Sequence, residues 1–197
     1  MRVIAGQYRR RTLRSLPGLE IRPTADRLRE TLFNVLCAGN PEALADSTWI
    51  DLYAGTGAVG IEALSRGAGM AYFIESSKDA ADVIAANLKS LGIAHGFQIV
   101  KADAVKALGQ LDSTAVATGK AADYVFLDPP YSLQAEYAKT LATLSESKLL
   151  RDGSIVIAEH EKRFDPGEAF GSLRRYRTLK QGDAALSFYR QHFPKHL

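Results

Sequence analysis

The sequence predicts a doubly wound α/β fold, a mostly parallel sheet that ends in an antiparallel C-terminal hairpin. Three features carry this expectation. Apolar runs alternate with stretches of helical periodicity, a glycine-rich turn joins the first run to a helix, and two late runs flank Gln181-Gly182-Asp183 at hairpin spacing. Alternation of this kind needs crossover helices, and crossovers make neighbouring strands parallel.

In chain order, the first element is a helix. Thr24, after Pro23, is placed as its N-cap, and Leu28, Leu32 and Leu36 recur every four residues behind it, up to Gly39. Residues 49–54 read as a strand running into the turn Gly55 to Gly60, after which Ile61 and Leu64 begin a helix closed by Gly67. Residues 71–75 form a second apolar run, followed by a helix with Ile84, Leu88 and Leu91 on one face and Gly92 at its end. Strands follow at 97–100 and 124–127, then a helix through Tyr137, Leu141 and Leu144, then a strand at 155–158. The hairpin strands are placed at 174–179 and 184–189. Residues 112–122 are weakly patterned and read as a loop.

With 197 residues, 46% hydrophobic, 24% charged and 7 prolines, the chain suits one globular domain, residues 1–197, with a basic arm and helix at 1–36 appended to the core. Long disorder and internal repeats are excluded. The longest stretches free of Asp, Glu, Lys and Arg, such as 31–41 and 52–61, fall short of the ~20 apolar residues of a bilayer span. No apolar leader follows the first arginines, so a cytoplasmic protein is expected. The single cysteine, Cys37, precludes an internal disulfide and reads as a small core residue. Charge is uneven: residues 1–36 carry 8 basic and 3 acidic groups, 37–150 carry 8 and 13, and 151–197 carry 9 and 6. The arm at 1–14, with Arg2, Arg9, Arg10, Arg11 and Arg14 and no acid, suits phosphate contacts, and a solvated terminus explains it equally well.

Ligands of open parallel sheets gather at the carboxyl ends of strands. Here those ends carry Asp51 with the glycine turn, Glu75, Asp103 and Asp128. One such acid is usually a cap or a turn residue; four in succession point to a ligand. Gly55-Thr56-Gly57-Ala58-Val59-Gly60 fits G-x-G-x-x-G, and Glu75 lies 20 residues beyond Gly55, so a nicotinamide dinucleotide is a rival cofactor. Asp51, placed to meet a cationic amino group, and Asp128-Pro129-Pro130-Tyr131 favour S-adenosylmethionine instead. The double proline restrains the backbone on both sides, so the Asp128 carboxylate and the Pro129 carbonyl can be aimed as acceptors. Two acceptors on an exocyclic amino group draw its nitrogen toward tetrahedral geometry and free its lone pair. Tyr131 offers a stacking face for an extruded base, a contact worth about 1–3 kcal/mol.

On these residues the chain resembles the class I S-adenosylmethionine-dependent methyltransferases, and within them the RsmD-like guanine-N2 methyltransferases of 16S ribosomal RNA. The resemblance spans essentially the whole chain. It rests on Val3-Ile4-Ala5-Gly6 and the following arginines, on the stretch from Arg22-Pro23-Thr24 to Glu30, and on Asp51-Leu52-Tyr53-Ala54-Gly55-Thr56-Gly57. Glu62 to Ala68, Asp128-Pro129-Pro130-Tyr131 and Gly182 to Leu186 extend it. It implies a seven-stranded Rossmann-like sheet. It implies that Asp51, Ala54, Gly55, Thr56 and Gly57 surround the methionine part of the donor, Glu75 with Ser76 its ribose, and Asp103 with Ala104 its adenine. Asp128, Pro129 and Tyr131 are then the catalytic group, Asp128 also bordering the donor, and Arg9, Arg10, Arg11, Arg22 and Arg27 contact RNA. The implied partner is ribosomal RNA, within an assembling small subunit, and the implied state is a monomer.

Rival readings remain open at this point: an adenine-N6 DNA methyltransferase, a protein glutamine methyltransferase, and a non-catalytic nucleic-acid-binding domain that kept the fold. His95, His160, His192 and His196 are scattered without metal-ligand spacing, so no metal is expected. Trp49 and Phe33 read as core aromatics.

Overall fold

A computed structural model describes residues 1–16 and 23–192, with side chains described from residue 26 onward in the first helix. The chain folds as two compact units, Met1–Asp103 and Ala104–Leu197. Among the described residues no helix is long and apolar enough to cross a membrane.

The first unit contains α1 (Pro23–Leu36), β1 (Thr48–Leu52), α2 (Ala58–Ser65), β2 (Met70–Ile74), α3 (Lys78–Leu91) and β3 (Phe97–Val100). Its strands lie in the order β3-β2-β1, all parallel, with Trp49 opposite Ala71 and Ala71 opposite Phe97. Leu28, Leu32 and Phe33 of α1 are buried, and Phe33 stacks on Trp49 at 5.3 Å between ring centroids, so both aromatics are core as expected. The helix starts at Pro23, which places Thr24 inside it rather than at its cap. A proline is at home in a first helical turn, where its missing N–H has no partner to lose. Strand β1 stops at Leu52 because Tyr53 turns into the left-handed region, φ 61. Gly92, φ 74, closes α3 as the leucine pattern predicts. Cys37, expected in the core, is only half-buried just beyond α1.

The second unit contains α4 (Ala104–Thr118), β4 (Ala122–Leu127), α5 (Ala135–Glu146), β5 (Leu150–Glu161), β6 (Ala169–Phe170), β7 (Leu173–Gln181) and β8 (Ala184–Gln191). Strand β4 pairs parallel with β5, and β5, β8, β7 and β6 continue as antiparallel neighbours. The chain is a mixed α/β protein with parallel strands and a C-terminal antiparallel hairpin. Among the described residues there are eight strands where the resemblance implies seven, and β6 has only two residues.

Two expectations change here. Residues 112–118, read as loop, belong to α4: Ala107, Leu108, Leu111 and Ala115 form its buried stripe, and Ser113, Thr114 and Thr118 bond back to the carbonyls four residues earlier. Strand β5 runs well beyond 155–158, because Glu159, His160 and Glu161 keep their pairing with β8. Asp112 ties α4 to the next connection by accepting from Ser147 Oγ at 2.8 Å and from the Lys148 N–H at 2.6 Å.

Candidate functional site

In the first unit the glycine turn and two acids form one hydrogen-bonded cluster. Glu75, one residue beyond β2, accepts the Gly55 N–H on Oε2 at 2.8 Å and the Ser77 N–H on Oε1 at 2.8 Å. Asp51, buried within β1, accepts the Gly60 N–H at 2.9 Å. The Gly57 N–H goes to the Ala54 carbonyl at 2.7 Å. The glycines are needed for two reasons: Gly57 has φ 77, and a Cβ on Gly60 would lie 2.4 Å from the Phe73 ring. At Gly55, by contrast, the nearest atom to an added Cβ is 4.0 Å away, so that face is open to a ligand.

This pairing has an electrostatic consequence. A dinucleotide site offers its free turn N–H groups to pyrophosphate. Here the N–H groups of all three glycines have protein acceptors, two of them carboxylates, and the acids border the turn. The cluster suits a cation and hydroxyl groups, and it disfavours an anion. Carboxylate oxygens that accept one N–H keep a lone pair for a further donor. Ser76 is exposed beside Glu75, and Ser77, not Glu75, caps α3. Asp103 is exposed three residues beyond β3, and its neighbour Ala104 is buried at the start of α4. Ala54 is buried and Thr56 half-buried.

In the second unit, Asp128-Pro129-Pro130-Tyr131 directly follows β4. Pro129 is buried, Asp128 and Tyr131 are half-buried, and the Pro130 carbonyl accepts the Leu133 N–H at 2.8 Å, which leads the loop into α5. Burial alone raises the Asp128 carboxyl from the ordinary carboxylate range to about 7. Beneath the loop, Tyr137 donates its hydroxyl to the Glu159 carbonyl at 2.7 Å. Burial, followed by the Asp128 charge, pushes that hydroxyl's pKa upward.

The basic N-terminal segment is a docked strap. Val3 and Leu13 are buried, and backbone bonds join Val3 to Arg11, Arg10 to Val3, and Leu13 to Met1. Glu62 of α2 accepts the N–H groups of Ile4 and Ala5 at 2.8 and 3.0 Å and pairs with Arg66 at 2.8 Å. Buried Asn87 of α3 accepts the Arg14 N–H at 2.7 Å and donates to the Thr56 carbonyl at 3.0 Å. Arg2, Arg9, Arg10 and Arg27, with Asp26 and Glu30, line a groove of about 550 Å³. Arg11 instead donates to the Ser90 carbonyl at 2.9 Å. Arg22 lies outside the described residues. Sequence reasoning misses Glu62 and Asn87, since an acid on a helix and an amide between apolar positions give no signal of what they bind.

Among the described residues no three His, Cys, Asp or Glu side chains are grouped to hold a metal. His160 is buried, with Nδ1 donating to the Glu161 carbonyl and Nε2 accepting from Ser187 Oγ, each at 2.9 Å.

Three comparisons extend these findings. The family model described as conserved hypothetical protein 95 matches residues 1–190. Ribosomal RNA small subunit methyltransferase D of Escherichia coli (strain K12) is 34% identical over 161 residues, 82% of this chain and 75% of its own. YlbH of Bacillus subtilis (strain 168), whose name assigns it provisionally to rRNA methylation, is 32% identical over 192 residues, 97% of this chain and 99% of its own. Among solved structures, Escherichia coli yhhF superposes with a TM-score of 0.79 at 27% identity, covering 97% of both chains.

Proposed function

The chain belongs to the RsmD-like family of ribosomal RNA methyltransferases, and from that membership we propose that it methylates the exocyclic N2 amino group of a guanine in 16S ribosomal RNA. When bound, S-adenosylmethionine supplies an electrophilic methyl group on a sulfonium. The acid-bordered glycine turn fits that donor, because a cationic centre and ribose hydroxyls complement Asp51 and Glu75 where a pyrophosphate does not. In this assignment Asp51, Ala54, Gly55, Thr56 and Gly57 hold the methionine part, Glu75 with Ser76 the ribose, and Asp103 with Ala104 the adenine.

The second unit handles the acceptor. Asp128 accepts one N2–H bond and the Pro129 carbonyl the other, which localises the nitrogen lone pair, and the Tyr131 ring stacks on the extruded base. With the donor bound, transfer of its methyl group would leave the nitrogen with one proton to release. A carboxyl with a pKa of about 7 is matched to take it. Substrate, in this reading, is ribosomal RNA of an assembling small subunit, met in the cytoplasm by a monomer.

The observation that carries the reading is Asp128 itself, a half-buried acid on a proline-stiffened loop at a strand end. Single-turnover methylation at saturating donor tests it with guanine-containing RNA and the same RNA carrying inosine at the target. Inosine lacks the N2 amino group, so its methylation at that position would refute the assigned nucleophile. Loss of reaction on inosine alone supports it.

A further inference from the structure

The reaction makes no use of the C-terminal hairpin, yet one strand of it presents a basic and aromatic surface. Between Leu173 and Gln191 lie Arg174, Arg175, Arg177, Lys180 and Arg190, against a single acid, Asp183. Two of these arginines are engaged locally: Arg175 pairs with Asp165, and Arg174 donates to the carbonyls of Gly171 and Leu173. Arg177, Lys180 and Arg190 form no ion pair among the described residues. Strand β6 pairs only with Leu173 and Arg174, so β7 from Tyr176 to Gln181 is a sheet edge.

The ladder slips at one point on that edge. Arg175 pairs with Tyr189 and Arg177 with Phe188, which leaves Tyr176 as the extra residue of a bulge. Tyr176 is 47% exposed and is the only aromatic among the large apolar side chains that the described surface exposes. The Arg190 guanidinium lies over its ring, 4.6 Å from the centroid, and the buried Phe188 ring braces it at 6.2 Å. Charge on an edge strand blocks unwanted pairing, and Arg177 and Lys180 suffice for that. An exposed tyrosine adds nothing to such protection. An acidic protein surface would likewise engage the cations and leave the ring without a role. A ring carrying a guanidinium, with the Arg177 cation on the same face, has the chemistry that holds an unpaired nucleobase by its π-face and an adjoining phosphate by charge.

We propose that Tyr176 and Arg190 form a stacking platform for an unpaired nucleotide of the RNA substrate, with Arg177, which shares the Phe188 face, on a flanking phosphate. The platform rests on RNA being the substrate, and it is a contact separate from the base held by Asp128. Fluorescence anisotropy tests it with two labelled RNAs of equal length, one fully paired and one a stem with a single-stranded extension. Tyr176→Ala is expected to weaken binding of the extended RNA by about 5- to 150-fold, the range of one base stack, and to change the paired RNA by no more than about twofold. Tyr176→Phe retains the parental affinity. If Tyr176→Ala fails to fold by thermal melting, Arg190→Gln keeps the ring and its Phe188 brace and reads the same difference between the two RNAs. Unchanged affinity for both RNAs, or equal weakening on both, overturns the platform. A parent protein that methylates no RNA would overturn the substrate reading first, and that outcome is seen before any variant is made.

Discussion

A Cβ atom on Gly6 would lie 1.8 Å from the carbonyl oxygen of Ser65, so the N-terminal strap can rest on α2 only because residue 6 has no side chain. Its φ of +79 is equally unsuited to other residues. Around this point the Gln7 N–H meets the Ser65 carbonyl at 2.7 Å and the Tyr8 N–H meets Ser65 Oγ at 3.0 Å. Gly6→Ala is therefore expected to lift the strap while leaving the parallel strands folded. Trypsin cleavage at Arg9 to Arg11 should accelerate by on the order of tenfold for each ~1.4 kcal/mol by which docking weakens. Parental cleavage rates in a folded variant would show that the strap tolerates the clash.

Asn87 links the same strap to the donor turn. It is fully buried, and besides the Arg14 N–H and the Thr56 carbonyl it reaches the Arg14 carbonyl at 3.2 Å. Leaving a buried polar partner unsatisfied costs about 1–3 kcal/mol. Asn87→Ala should lower the melting temperature by about 2–12 °C and weaken S-adenosylmethionine in calorimetry, because Thr56 sits inside the glycine turn. A lower melting temperature with unchanged donor affinity would restrict Asn87 to stability.

Legibility in the sequence follows the range of the interaction. Helix α3 is readable because Ile84, Leu88 and Leu91 keep one face and Gly92 ends it, all of them local signals. The second half of α4 is not, since its buried stripe is largely alanine and its Ser and Thr residues satisfy themselves by back-bonding. The positions of Asp51 and Glu75 follow from strand ends and spacing. Their carboxylates' bonds to Gly60 and Gly55 depend on a left-handed Tyr53 and Gly57, which no periodicity announces. The strap is legible as charge alone. Its docking uses Glu62, Ser65 and Asn87, side chains 57 to 73 residues away in the chain.

The arginines of the arm should not contribute equally to RNA binding. Arg9 and Arg10 line the groove with Arg2 and Arg27, whereas Arg11 is held by the Ser90 carbonyl. Removing one arginine–phosphate pair flattens the dependence of log affinity on log salt by about 0.9 on a duplex and about 0.7 on a single strand. Replacing Arg9 and Arg10 by Ala should flatten the measured slope by up to twice that amount, and Arg11→Ala should flatten it less than either. A slope unchanged in the double variant would reduce the strap to solvated surface.

Asp128 should impose opposite pH trends on stability and on rate. Its folded pKa of about 7 lies above the ~3.9 of an unfolded aspartate, so between those values the folded protein holds a proton that the unfolded chain has released. The associated stability is fully present below pH ~4 and is lost as pH rises through about 7. Asn cannot ionise, so Asp128→Asn should gain stability over the parent in denaturant melts at pH 8 and about a third as much at pH 5. Methyl transfer runs the other way, because only the ionised carboxylate accepts both an N–H bond and a proton. The parental single-turnover rate is expected to climb through about pH 7 and level off above it. Asp128→Asn should keep a weaker, pH-independent rate through its amide oxygen, lower by about 10²–10⁴ if proton transfer is lost. Asp128→Ala should abolish turnover with donor binding largely intact, and Tyr131→Ala should cost more than Tyr131→Phe. An inflection near pH 7 that survives in Asp128→Asn would assign the titration to another group and remove the carboxyl's role in proton transfer.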